Sequence, residues 1–119
     1  MKVVVVGGTG SIGLRVVARL LDAGHSVSCV ARGVGANVAR GVRLIRRDPN
    51  VEWFTGVMRR EKFDAAIDLI AFTAEDAAAS VSAFRDVSHF IHTSSVRVYG
   101  VDSSWLPIGE DHLLRPTVP

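Results

Sequence analysis

Apolar residues crowd the start of the chain without alternating. Residues 2–6 read KVVVV, and four β-branched side chains in a row describe a strand buried on both faces. Across 11–23, Ile12, Val16, Val17, Leu20 and Leu21 recur at helical spacing, and Gly24 supplies the stop. HSVSCVA, 25–31, alternates and runs into a glycine-rich loop, RGVGAN, completing a βαβ unit. A weaker strand follows at 41–46. Pro49 and Asn50 then open a helix running to about residue 60, with Phe54, Val57 and Met58 as its buried face. KFDAAIDLIAF, 62–72, reads as another buried strand. Thr73 is the predicted N-cap of an Ala-rich helix, with Asp76 as its capping-box partner, and HFIHTSS, 89–95, is the fifth strand. Strands that alternate with helices imply an α/β fold: a doubly wound parallel sheet of about five strands in a three-layer αβα arrangement.

Composition narrows this picture rather than changing it. The 119 residues fit one domain, which at this size buries roughly two-thirds of its unfolded surface. With 48% hydrophobic and 22% charged residues, the chain is far from disorder. The net charge is +2, but the arginines are scattered among acidic residues and form no stripe with aromatics, so nucleic acid is an unsupported partner. The single cysteine, Cys29, allows neither an internal disulfide nor a Cys-rich metal site, which fits a reducing compartment. His25, His89, His92 and His112 show no helical i, i+4 pairing, and no metal site is expected. The longest nearly apolar stretch, AAIDLIAF, falls far short of the roughly 20 residues of a bilayer span. MKVVVVGG has too short an apolar core for a signal peptide. The expectation is a soluble cytoplasmic protein without a membrane partner. Residues 1–100 form its domain, and 101–119, with three prolines and no periodicity, form an irregular tail. Trp53 and Trp105 are read as packing or interface groups.

The candidate chemistry lies where the first strand meets the first helix. A helix N-terminus presents unpaired N–H groups and about half a positive charge, which suits a phosphate, provided that no side chain blocks the approach. In VVVVGGTGSIG, Gly7 permits a tight exit from the strand, Gly10 lets a ligand come close, and Gly13 lets the helix pack against the sheet. Glycines so spaced can also serve an ordinary loop; the strand before, the helix after and the second strand favour a dinucleotide cradle. The ATPase-type loop G-x-x-x-x-G-K-[ST] is excluded, because Leu14 rather than Lys follows Gly13.

The spacing G-x-x-G-x-x-G, together with HTSSVRVYG at 92–100, resembles the extended short-chain dehydrogenase/reductases and among them the NAD-dependent epimerase/dehydratases acting on nucleotide sugars. LLDAGHSV, FDAAIDLIAF and PIGEDHLLRP look like further landmarks of that family, so the likeness spans nearly the whole chain. It implies a Rossmann-like fold with Gly7, Gly10, Ser11, Ile12 and Gly13 at a pyrophosphate. The acidic residue that grips the adenosine ribose in the family falls on Ala31, with Arg32 next. Alanine cannot make that bond, whereas Arg32 can pair with a 2′-phosphate, so NADP is favoured over NAD; Arg32 as a solvated loop residue is the alternative. Asp48 matches a residue accepting from the adenine amino group, and serves equally as a helix N-cap. Leu69, Ile70 and Ala71 match the strand end behind the ribose and pyrophosphate, where packing explains them as well. Ser95, four residues before Tyr99, matches the catalytic Ser or Thr that hydrogen-bonds a substrate oxygen.

One family element has no counterpart. A Tyr with a Lys four residues later supplies the general acid/base, its pKa lowered from about 10. Here Tyr99 is followed at that distance by Ser103, which leaves Tyr99 a packing role; no Tyr follows it, and the two lysines are Lys2 and Lys62. The resemblance therefore implies the N-terminal, cofactor-binding part of a longer enzyme, C-terminally truncated and inactive by itself, whose small-molecule substrate is chosen elsewhere. A non-catalytic dinucleotide-sensing module is the alternative. An incomplete sheet would also leave an edge and apolar surface able to drive homo-oligomer formation.

Overall fold

The valines of the first strand sit where the periodicity puts them, at the centre of a five-stranded parallel sheet. The computed structural model describes residues 1–32, 38–47, 51–100 and 106–114. Its elements are β1 (Lys2–Val6), α1 (Ser11–Asp22), β2 (Ser26–Ala31), β3 (Arg43–Arg46), α2 (Val51–Glu61), β4 (Ala65–Asp68), α3 (Ala74–Ala83), β5 (His89–His92) and a 3-10 turn, Val96–Tyr99. The strand order is β3-β2-β1-β4-β5, with Val5 opposite Cys29 on one side and Ile67 on the other. Successive strands step outward from β1 to β3, and the chain then returns across the sheet to β4 and β5. The order reverses between β1 and β4.

Because β1 is covered on both faces, its side chains divide between two cores. Val4 and Val6 join Val30, Ile45, Phe54 and Met58 of α2, and Ala83 and Phe84 at the end of α3. Val5 joins Val27, Cys29 and Val17, with Val16, Leu20 and Leu21 of α1 packed alongside. Helices therefore lie on both faces, α2 and α3 on one and α1 on the other, as the three-layer expectation required. Phe84 anchors the larger core, its ring 6.3 Å from Phe54 edge to face and 5.7 Å from Phe90.

The caps follow the local signals. Thr73 accepts from the Asp76 N–H at 3.1 Å while the Asp76 carboxyl accepts from the Thr73 N–H at 3.3 Å, a complete capping box. Gly24, at φ +80°, ends α1 with its N–H donating to Leu21 O. Two strands are shorter than the runs predicted for them. Phe63 is buried ahead of β4, Asp64 bonds Lys2 in both directions, and the chain leaves the ladder after Asp68. β5 likewise stops at His92. The chain beyond these ladder ends is half-buried at 69–71 and exposed at 93–95.

At the opposite end of the sheet, both nitrogens of the Arg43 fork donate to the Glu61 carboxylate at 2.6 and 2.9 Å, and Lys2 Nζ lies 3.3 Å from it. The hydrogen bond from Arg43 is the main cause holding the Glu61 carboxyl below its ordinary range, against a smaller opposing effect of burial.

Candidate functional site

Beyond Val6 the backbone turns at Gly7, whose φ of +84° disfavours any side chain. The Gly7 N–H donates to Val30 O at 2.9 Å, and the Gly10 N–H returns to Gly7 O at 3.1 Å. Gly10 is the N-cap of α1, and the Leu14 N–H bond to its carbonyl, 2.8 Å, begins the helical ladder. Among the described residues no side chain caps this helix, and its first turn carries no acidic residue. The N-terminal amides around exposed Ser11 and Ile12 thus form a positive, uncapped end.

The glycines play three different parts. A Cβ on Gly7 would lie 2.6 Å from Ile70 Cγ2. One on Gly13 would lie 2.2 Å from Gly7 O and 2.7 Å from Gly8 C, so Gly13 seats the helix on the glycine turn itself rather than directly on the sheet, as the sequence had suggested. Gly8, which sequence reasoning passed over, is buried, and its Cβ would lie 2.5 Å from Cys29 Sγ. Gly10 differs from all of these: among the described residues its Cβ would meet only Gly7 O, at 3.4 Å. Packing among the described residues explains Gly7, Gly8 and Gly13 but not Gly10.

Gly7, Thr9, Gly10, Ala31, Arg32 and Ile70 line a crease of about 140 Å³. It opens at the C-terminal ends of the strands beside the reversal between β1 and β4, where open α/β sheets take their ligands. Ala31 is buried and offers no carboxylate, while the exposed Arg32 makes no ion pair with the described residues. A second cleft of about 310 Å³ includes Leu69, Ala71, Phe72, His92 and residues 93–95. The half-buried strip 69–71 separates the two, Ile70 facing the crease and its neighbours the cleft. Ser95 lies in the cleft and N-caps the 3-10 turn, its Oγ accepting from the Arg97 N–H at 3.3 Å. Tyr99 packs edge-on to the buried His112 ring at 5.8 Å, so part of the expected irregular tail folds back. Of the predicted site residues, Gly7, Gly10, Arg32 and Ile70 meet in the crease, Ser11, Ile12 and Gly13 begin the helix beside it, and Asp48 lies outside the described residues.

Two supports escaped the sequence reading. Asp68 is a buried carboxyl group at the end of β4, marked only by its place in AAIDLIAF. Arg47 donates from its backbone to Ala31 O at 2.8 Å and from its side chain to Asp76 Oδ1 at 3.1 Å, tying the edge of the sheet to the start of α3. Burial pushes the Asp76 carboxyl up, but its bonds with Thr73, Phe72 and Arg47 outweigh that and hold it below its ordinary range. Among the described residues no group of three or more His, Cys, Asp and Glu side chains could hold a metal ion, and no helix is long and apolar enough to cross a membrane.

Residues 3–119 match the model of the NAD dependent epimerase/dehydratase family. The chain belongs to that family. Over 104 residues, 84% of this family member, it is 36% identical to the 2′-dehydrokanamycin reductase of Streptomyces kanamyceticus, of which the match covers 29%. Among solved structures, the WbmH enzyme of Bordetella bronchiseptica, in complex with NAD+, superposes with a TM-score of 0.79 at 18% identity, covering 98% of this chain and 46% of that one. The UDP-glucose 4-epimerase of Thermotoga maritima, solved with UDP-glucose, gives 0.77 at 22% identity, covering 98% and 45%. These superpositions bear out the Rossmann-like fold. The chain spans less than a third of the curated relative and under half of the two structures.

Proposed function

We propose that residues 1–100 are the NAD(P)-binding unit of an oxidoreductase of this family, with 101–119 leading on from it. The observation that carries this reading is Gly10: it stands at an uncapped helix N-terminus, beside the crease at the strand-order reversal, and packing among the described residues gives no reason for it. A dinucleotide's diphosphate supplies the missing acceptor for the first-turn amides of Ser11, Ile12 and Gly13. Gly7, Ile70 and the strip 69–71 back the adenosine-side ribose. Ala31 and Arg32 favour NADP over NAD, because a guanidinium pairs with a 2′-phosphate where a carboxylate would repel it. In the second cleft the Ser95 hydroxyl hydrogen-bonds the oxygen of a carbonyl or carbinol substrate, of the sugar or nucleotide-sugar class that the relatives' names suggest. When bound, the nicotinamide supplies the hydride. The chain's own part is to hold cofactor and substrate edge to edge, and Asp48 would help at the adenine.

Titration calorimetry of the folded protein with NADPH and NADH tests the reading. Saturable binding is expected, tighter for NADPH, and Arg32→Ala should remove most of that preference. A folded sample that binds neither nucleotide overturns the reading. A second reading is a dinucleotide-sensing module that does no chemistry, motivated by the lack of a Tyr-x-x-x-Lys pair within residues 1–119. It expects cofactor binding to alter association with a protein partner, without turnover of any carbonyl.

A further inference from the structure

A carboxyl group with no basic partner among the described residues lies where β4 leaves the sheet. Asp68 is 1% exposed and takes part in none of the ion pairs. Three donors converge on this residue from three parts of the fold. The Ser80 hydroxyl of α3 donates to Oδ2, the Ile70 N–H donates to Oδ1 at 2.9 Å, and the Thr93 N–H donates to the main-chain oxygen at 3.0 Å. The bond to Ile70 is an Asx turn, in which a side chain imitates the backbone and fixes the residue two places on. Ile70 is thereby pressed so close to Gly7 that a Cβ there would lie 2.6 Å from its Cγ2. It forms one wall of the crease, while Leu69, Ala71 and the segment beginning at Thr93 line the cleft holding Ser95.

A polar group buried this deeply is costly unless satisfied, and an apolar residue of similar size would fill the same space. What such a residue could not do is hold the Ile70 amide. We propose that Asp68 is a positioning residue: it sets the strip 69–71 against the glycine turn and aligns it with the exit of β5, so that crease and cleft keep a fixed separation. The role in cofactor binding rests on the dinucleotide reading above, whereas the Asx turn does not.

Two measurements on folded protein separate these parts: hydrogen exchange of the Ile70 amide by NMR, and NADPH affinity by calorimetry. Asp68→Leu should speed Ile70 exchange and weaken NADPH by about tenfold or more, as expected when a hydrogen bond to a carboxyl group is lost at a wall of the site. Asp68→Asn, which keeps an oxygen for Ile70 and a group able to bond Ser80, should restore both. Ile70→Ala, which keeps the amide bond but removes the wall, should weaken NADPH without changing the exchange, and it carries the test if Asp68→Leu does not fold. Unchanged exchange in folded Asp68→Leu, wild-type affinity in that variant or in Ile70→Ala, or failure of Asp68→Asn to restore binding overturns the proposal. A wild-type protein that binds neither nucleotide overturns the dinucleotide reading and with it the cofactor role of Asp68, while the exchange still decides the Asx turn.

Discussion

Replacing Gly10 and Gly13 by alanine separates ligand geometry from fold geometry. Gly10 has φ −77° and ψ 172°, which alanine adopts freely, and among the described residues its new Cβ would meet a single atom, at 3.4 Å. Alanine is a poorer N-cap than glycine by about 0.5–1 kcal/mol, so the melting temperature should fall by only about 2–6 °C in a domain of this size. The methyl group stands where the diphosphate would approach. Each charge-assisted bond lost there is worth about 1.5–3 kcal/mol, or roughly 10- to 150-fold in affinity. At Gly13 the Cβ meets backbone at 2.2 and 2.7 Å, which no rotamer change relieves. Overpacking of this kind costs about 1–3 kcal/mol or more, and Gly13→Ala should lose about 10 °C or fail to fold. Differential scanning calorimetry with NADPH titration reads both effects. Wild-type affinity in Gly10→Ala would refute the proposed ligand geometry, and wild-type stability in Gly13→Ala would refute the helix seating.

Two further outcomes probe the surroundings. Gly8→Ala should be destabilised by contact of its methyl group with Cys29 Sγ at 2.5 Å, and adding Cys29→Ala should recover part of the loss; additive melting shifts would show that the two do not touch. The Glu61 carboxyl is held low chiefly by Arg43, so the folded state takes up its proton less readily than the unfolded chain does. The stability from that pair is complete above the ordinary Glu value of about 4.3 and is lost as pH falls through the lower folded-state value. Glu61→Gln should therefore melt a few degrees below wild type at pH 7 and converge with it in acid; a gap that persists in acid would contradict this.

What could be read in advance was whatever neighbouring residues settle among themselves. The run 3–6 is apolar on both faces, Thr73 and Asp76 cap each other, and Phe54 and Met58 share one helical face, so strands, caps and buried stripes were legible. The glycine turn was legible for the same reason, since strand, turn and helix are contiguous. The ends of β4 and β5 were not, because ladder pairing depends on a strand that another part of the chain supplies. Gly8 gave no signal: its constraint is Cys29, on the next strand. Asp68 looked like an interruption of an apolar run, and only the fold brings Ser80 and Thr93 to it.

The bare first turn of α1 has a thermodynamic side. With no side chain among the described residues to satisfy its leading amides, that turn leaves them to water or to an anion. Any such solute acts as a folding ligand by mass action, adding about 2.7 kcal/mol when present at a hundred times its dissociation constant. If the proposed dinucleotide is that solute, resistance of the folded protein to proteolysis should rise with its concentration.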